Sequence, residues 1–117
     1  MSLEELASEI ATVIKNELSE GWDQLSSFHK SQSKKLAKQA ALLAQLRLSG
    51  ELRDDPDTFD FLVEQLEDKV ENFAVAVANL TVLTFQQAWN ATVGVIWGAI
   101  NKLFTAQGLP ALAVPSR

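Results

Sequence analysis

"NFAVAVANLTVLTFQQAWNATVGVIWGAIN" occupies residues 72–101 and carries no charged side chain. The chain around it is strongly charged, with 15 acidic and 10 basic residues among 117 and a formal net charge of −5. Three readings compete for this stretch: a membrane span, a buried core helix, or a surface made to meet another subunit. Its length exceeds the ~20 residues a bilayer requires. Gly94 and Gly98 stand four apart, a spacing of small residues that allows helices to approach closely in lipid. Trp89 and Trp97 suit a membrane interface. Against a span, Asn72, Asn79, Gln86, Asn90 and Asn101 fall on one helical face with Gly94, and amides in hydrocarbon cost free energy unless paired. The remaining sides carry Phe73, Val77, Leu80, Val93, Ile100 and other apolar residues. A helix of this kind offers more apolar surface than one partner helix covers, so the sequence predicts that something outside the chain covers the rest. Copies of the same chain are the first candidate, ahead of another protein or lipid. The expected contact residues are Phe85, Trp89, Val93, Gly94, Trp97, Gly98, Ile100 and Phe104, with Asn79, Gln86 and Asn90 as a polar ladder that sets register.

Working outward, Ser2 and Glu5 form a capping box that starts a helix. Leu3, Leu6, Ile10, Val13, Ile14, Leu18, Trp22 and Leu25 then recur mostly at steps of three and four, one helical stripe. Gly21 weakens that stripe, and the serine-rich "LSSFHKSQSKK" predicts a kink or loose turn near residues 21–33. The period resumes at Leu36, Ala40, Leu43 and Leu46 and closes at Gly50. Asp55 before Pro56 reads as an N-cap followed by proline in the first turn. No further proline interrupts the chain before Pro110. The expectation is therefore an all-α fold of one domain over residues 1–107: a long antiparallel helical hairpin packing into a helical oligomer. Its first helix covers about 2–49, its turn 50–55 and its second helix about 56–106, with residues 108–117 an extended tail. A second helix of that length would measure about 75 Å.

Charge is segregated along the chain. Residues 23–53 carry six Lys/Arg against two acids, and residues 54–71 carry eight acids against Lys69. Folding at the turn sets Lys38 opposite Asp68 and Lys35 opposite Glu71, pairs that would help register more than stability. Lys30, Lys34 and Lys38 share a helical face, but no interleaved aromatics support strand binding. Nucleic acid is not an expected partner.

Catalytic chemistry finds little footing. There is no cysteine, so thiolate ligands and a cysteine nucleophile are excluded. The single histidine, His29, has no acid at helical spacing. The acids of "RDDPDTFDF" lack the central glycine and terminal glutamate of a calcium loop and read as helix caps. No phosphate-binding glycine loop is present. The expectation is no enzyme, no cofactor and no metal. The acidic, amphipathic "MSLEELASEI" lacks the pattern of a secretory leader, which predicts a cytoplasmic or virion location, with membrane association an open alternative.

"KKLAKQAALLAQLRLSGEL", followed by the neutral stretch through "NKLF", resembles small uncharacterised helical proteins encoded in bacteriophage structural-gene clusters. The likeness covers roughly residues 30–107 and lies in texture. It implies a virion component or assembly factor and assigns no functional residue. The expected function is thus a non-enzymatic structural or accessory subunit of a larger assembly. The alternatives are a membrane-inserting protein of the ejection type and a soluble binding factor or assembly chaperone.

Overall fold

The computed structural model describes residues 2–117, and these form five helices: α1 (Leu3–Leu18), α2 (Glu20–Asp23), α3 (Ser27–Ser49), α4 (Pro56–Leu80) and α5 (Phe85–Ala106). The all-α expectation holds. The two-helix hairpin does not describe this chain, because both of its arms are broken. The longest dimension is 43 Å, far short of the 75 Å expected of an unbroken second helix. The radius of gyration, 14.0 Å, is close to the ~13 Å of a compact chain of this length.

The first arm breaks at Ser19, earlier than the serine-rich segment suggested. Ser19 has φ 53° and ψ −127°, a region that disfavours any residue with a Cβ. The short α2 follows, and Ser26 restarts the helix by accepting the His29 amide. Gly21 has a packing reason that its helical position hides: a Cβ there would lie 2.6 Å from Leu83 Cδ1. The glycine lets the α4–α5 turn close down on α2.

The second arm breaks within the neutral stretch. Thr81 and Thr84 do this without glycine or proline. Thr81 Oγ1 donates to the Val77 carbonyl at 2.7 Å and accepts the Leu83 amide at 3.1 Å. Thr84 then caps α5 in a full capping box: its hydroxyl accepts the Gln87 amide, and Gln87 Oε1 accepts the Thr84 amide at 2.9 Å. The remaining turn amide, Val82 N–H, donates to Gln24 Oε1 at 2.9 Å. Backbone groups freed at the helix ends are thus met by side chains.

That last bond also sets the topology, since it joins the α1–α3 connection to the α4–α5 connection at one end of the molecule. At the other end, the Phe59 ring at the start of α4 lies 6.4 Å from Phe104 at the end of α5, and Arg47 covers Phe59. The four long helices therefore alternate up and down. α1 packs on α3 and α5, α4 packs on α3 and α5, and α3 meets α5 across the centre. Ala37, Ala40, Ala41 and Ala44 of α3 are all fully buried, and such small side chains bring helix axes close together.

The neutral stretch is core. Phe73, Ala74 and Val77 point inward from α4, and Ala88, Trp89, Val93, Ile96, Trp97 and Ile100 from α5. Each large apolar side chain so buried contributes about 1.5–3 kcal/mol. Trp97 is completely buried, yet its indole N–H has no hydrogen-bond partner among the described residues, a desolvation cost of about 1–3 kcal/mol against the ring's burial.

Asp55 caps α4 through the amide and hydroxyl of Thr58. The hydroxyl bond foremost, then the amide bond, holds its carboxyl below the usual range. Its contribution is therefore present above the ordinary carboxylate pKa and is lost as pH falls through the lowered one.

Two substitutions check this description by denaturant titration. Ser19→Gly should raise stability by about 1 kcal/mol by relieving the positive φ. Thr84→Ala should lower it by about 1 kcal/mol by removing the cap.

Candidate functional site

Of the eight residues expected to meet another chain, Trp89, Val93, Trp97, Ile100 and Phe104 are 3% exposed or less. Their cover comes from the same molecule, because the turn at 81–84 folds α5 between α1, α3 and α4. Phe85 is half-buried and its ring stacks on Trp89, centroids 6.1 Å apart. Gly94 and Gly98 alone of the eight are exposed, and a Cβ on either would meet nothing within 4 Å. They floor a trough of about 360 Å³ between α1 and α5, walled by Leu6, Ile10, Val13, Val95, Ala99 and Leu103, with Glu9 and Lys102 at its rim. Elsewhere on the neutral stretch Val75, Leu80 and Val82 are also exposed, as single side chains outside the trough.

The polar ladder faces outward. Asn79, Gln86 and Asn90 are exposed, and Gln86 donates to Asn90 along the same helix at 2.9 Å. Asn101, on the same sequence stripe, does something different: its amide nitrogen donates to the Leu112 carbonyl at 3.0 Å and its oxygen accepts the Leu112 amide at 2.7 Å. This two-pronged clamp lays the C-terminal segment along the bundle, with Leu109 and Leu112 against the core. Arg117 ends it beside Glu67 (3.4 Å) and Glu71 (3.5 Å), with its guanidinium 5.1 Å from the centre of the Trp89 ring. The segment expected as an extended tail is a strap over α4 and α5. A clamping Asn eleven residues before its partner leaves no periodic signal, which is why the sequence did not show it.

The expected hairpin charge pairs are not formed. Among the described residues the ion pairs within 4 Å are those of Arg117 with Glu67 and Glu71. Glu71 is thus taken by the strap, and Asp68 stands exposed. Lys35 does face α4, in a groove of about 370 Å³, but there it meets Lys69, Asn72 and Phe73. Lys38 turns the other way. With Lys30, Lys34 and Lys15 it lines a groove of about 650 Å³ between α1 and α3, which also takes in Leu3, Glu4, Ala7 and Ala11 and ends at Trp22. Lys30 Nζ lies 5.8 Å from the centre of that indole.

Among the described residues the His29 ring has one polar partner, the Ser26 hydroxyl, 2.8 Å from Nδ1. A hydroxyl and an imidazole at that distance are the first two members of a nucleophile–base relay, but the base also needs a third group to orient it. No carboxylate bonds His29 among the described residues. Ser26 is already occupied as the α3 cap. No group of three or more His, Cys, Asp or Glu side chains that could hold a metal occurs among the described residues. Within the same bounds, no helix is long and apolar enough to cross a membrane.

No protein-family model, curated protein or solved structure shows a significant match to this chain.

The clamp can be tested by hydrogen exchange. Asn101→Ala should speed exchange of the Leu112 amide by about fivefold, since removing a bond worth ~1 kcal/mol shifts local opening by that factor, while the α5 core amides keep their protection.

Proposed function

We propose that this chain is a non-enzymatic structural or accessory subunit of a larger assembly, and that copies of it associate through the α1–α5 trough. The trough carries the reading. Two glycines in the middle of a helix cost about 1 kcal/mol each relative to alanine. The bundle has no need of them, because space above both is open. A second α5 crossing antiparallel would use that space. With a two-fold axis at the level of Ile96, Gly94 of one copy faces Gly98 of the other and the reverse, so the surface is complementary to itself, as a two-fold contact requires. The walls supply apolar area on both sides of the crossing.

The likeness of residues 30–107 to small helical proteins of bacteriophage structural-gene clusters suggests a virion, or the cytoplasm in which one is built, as the setting. The Ser26–His29 pair is accounted for by helix capping and adds no catalytic role to this reading.

The test is Gly98→Leu, read by light scattering and thermal denaturation together. The leucine enters open space and improves helix propensity, so melting should hold steady or rise, by up to ~1 kcal/mol in stability. Native mass should fall from that of a dimer or larger species to that of a single chain at moderate salt. Unchanged mass with an intact fold removes the trough as the contact. A wild-type protein that is a single chain under all conditions removes the self-association reading itself.

A further inference from the structure

The α1–α3 groove is the basic surface of the bundle, and the outer face of α4 is one of its acidic surfaces, along with the exposed Glu4, Glu5 and Glu9 of α1. From their geometry we infer a second contact between copies: the acidic face of α4 of one molecule docks in the lysine groove of the next. It goes beyond the trough contact and uses none of the same residues.

The groove presents Lys30, Lys34 and Lys38 from α3, with Lys15 from α1 across from them. The three α3 lysines stand at four-residue steps, about 6 Å of rise each. On α4, Asp60, Glu64 and Asp68 are exposed and stand at the same four-residue steps, with Asp57 on the same face. Two helices laid side by side can therefore pair all three rungs in one register. Among the described residues none of these lysines or acids has an ion-pair partner within 4 Å. The groove carries these four lysines against one acid, Glu4, so its net charge is opposite to that of the α4 strip.

Shape adds a second match. The groove floor is apolar, made of Leu3, Ala7 and Ala11, and Trp22 closes one end. The acidic face of α4 carries Phe61, 57% exposed, between Asp60 and Glu64. An aromatic amid the acids suits an apolar floor beneath lysines. A phosphate backbone would use the lysines but leave that floor uncovered. The formal charge of −5 also opposes nucleic acid at long range. Groove and strip are different surfaces, so the contact is heterologous: each molecule keeps a free strip and a free groove, and the contact propagates into a ring or filament.

The experiment uses the full chain carrying Gly98→Leu, which isolates this contact from the trough, and the same series in the wild type in case that background is unstable. Light scattering in about 50 mM NaCl should show association, weakened at least ~tenfold in about 500 mM NaCl as exposed charges are screened. Lys30→Glu/Lys34→Glu and Glu64→Lys/Asp68→Lys should each stay folded and lose association alone. An equimolar mixture of the two should recover it, because each supplies the surface the other lacks. In the wild-type background the readout is loss and recovery of species larger than a dimer. The inference is overturned if association is indifferent to salt and to both variants, or if no association beyond the trough contact occurs at low salt. It is equally overturned if the groove instead binds a labelled oligodeoxynucleotide, with that binding lost in Lys30→Glu/Lys34→Glu and no charge-dependent self-association seen. In each of these cases the trough contact stands or falls separately, on the mass of wild type against Gly98→Leu.

Discussion

The turn at residues 81–84 is the constraint on which the rest of the structure depends. It converts a run of neutral residues, long enough for a bilayer or a coiled-coil seam, into two helices that face each other. Once α5 folds back along α4, the apolar surface that seemed to require an outside partner finds cover on α1, α3 and α4. The turn needs no glycine or proline, because Thr81 and Thr84 satisfy the freed backbone groups with their own hydroxyls and Gln87 and Gln24 supply the remaining acceptors. Gly21 completes it by allowing Leu83 to descend onto α2.

Much of the local grammar was legible in the residues. Ser2, Asp55 before Pro56 and Gly50 all cap helices where the sequence placed them, Ser2 by accepting the Glu5 amide. The same grammar was present at Thr84 and Gln87 and went unread, because a threonine capping box inside an apolar, proline-free run gives no change in hydropathy to mark it. The first break was only partly legible. A kink was expected, but the positive φ at Ser19 occurs at a residue type that gives no sign of it. Without the turn at 81–84 the sequence reads as a hairpin rather than a bundle, with Trp89, Val93, Trp97, Ile100 and Phe104 placed at an outer contact instead of in the core.

Charge was legible as segregation and misread as pairing. Helix rotation is set by the buried positions, Leu36, Ala37, Ala40 and Leu43 on α3, and that rotation carries Lys30, Lys34 and Lys38 toward α1 and away from the acids of α4. Apolar burial outweighs exposed ion pairs in fixing such rotations, since each exposed pair contributes only ~0.2–1 kcal/mol. The charges are then available to partners outside the chain. The strap adds a related point: Arg117 takes Glu67 and Glu71 and shields Trp89, leaving Asp60, Glu64 and Asp68 as the open part of the acidic face.

The most direct test of the bent, self-covered neutral stretch is the distance between the start of α4 and the end of α5. The chain has no cysteine, so Asp57→Cys and Lys102→Cys give two specific sites for spin labels. In the bundle these ends lie together, as Phe59 and Phe104 do at 6.4 Å, and pulsed dipolar spectroscopy on dilute, singly diluted spin-labelled protein should give a distance below about 30 Å, allowing for label length and helix width. A population centred near 65–70 Å, roughly what 45 residues of unbroken helix would span, would contradict the account.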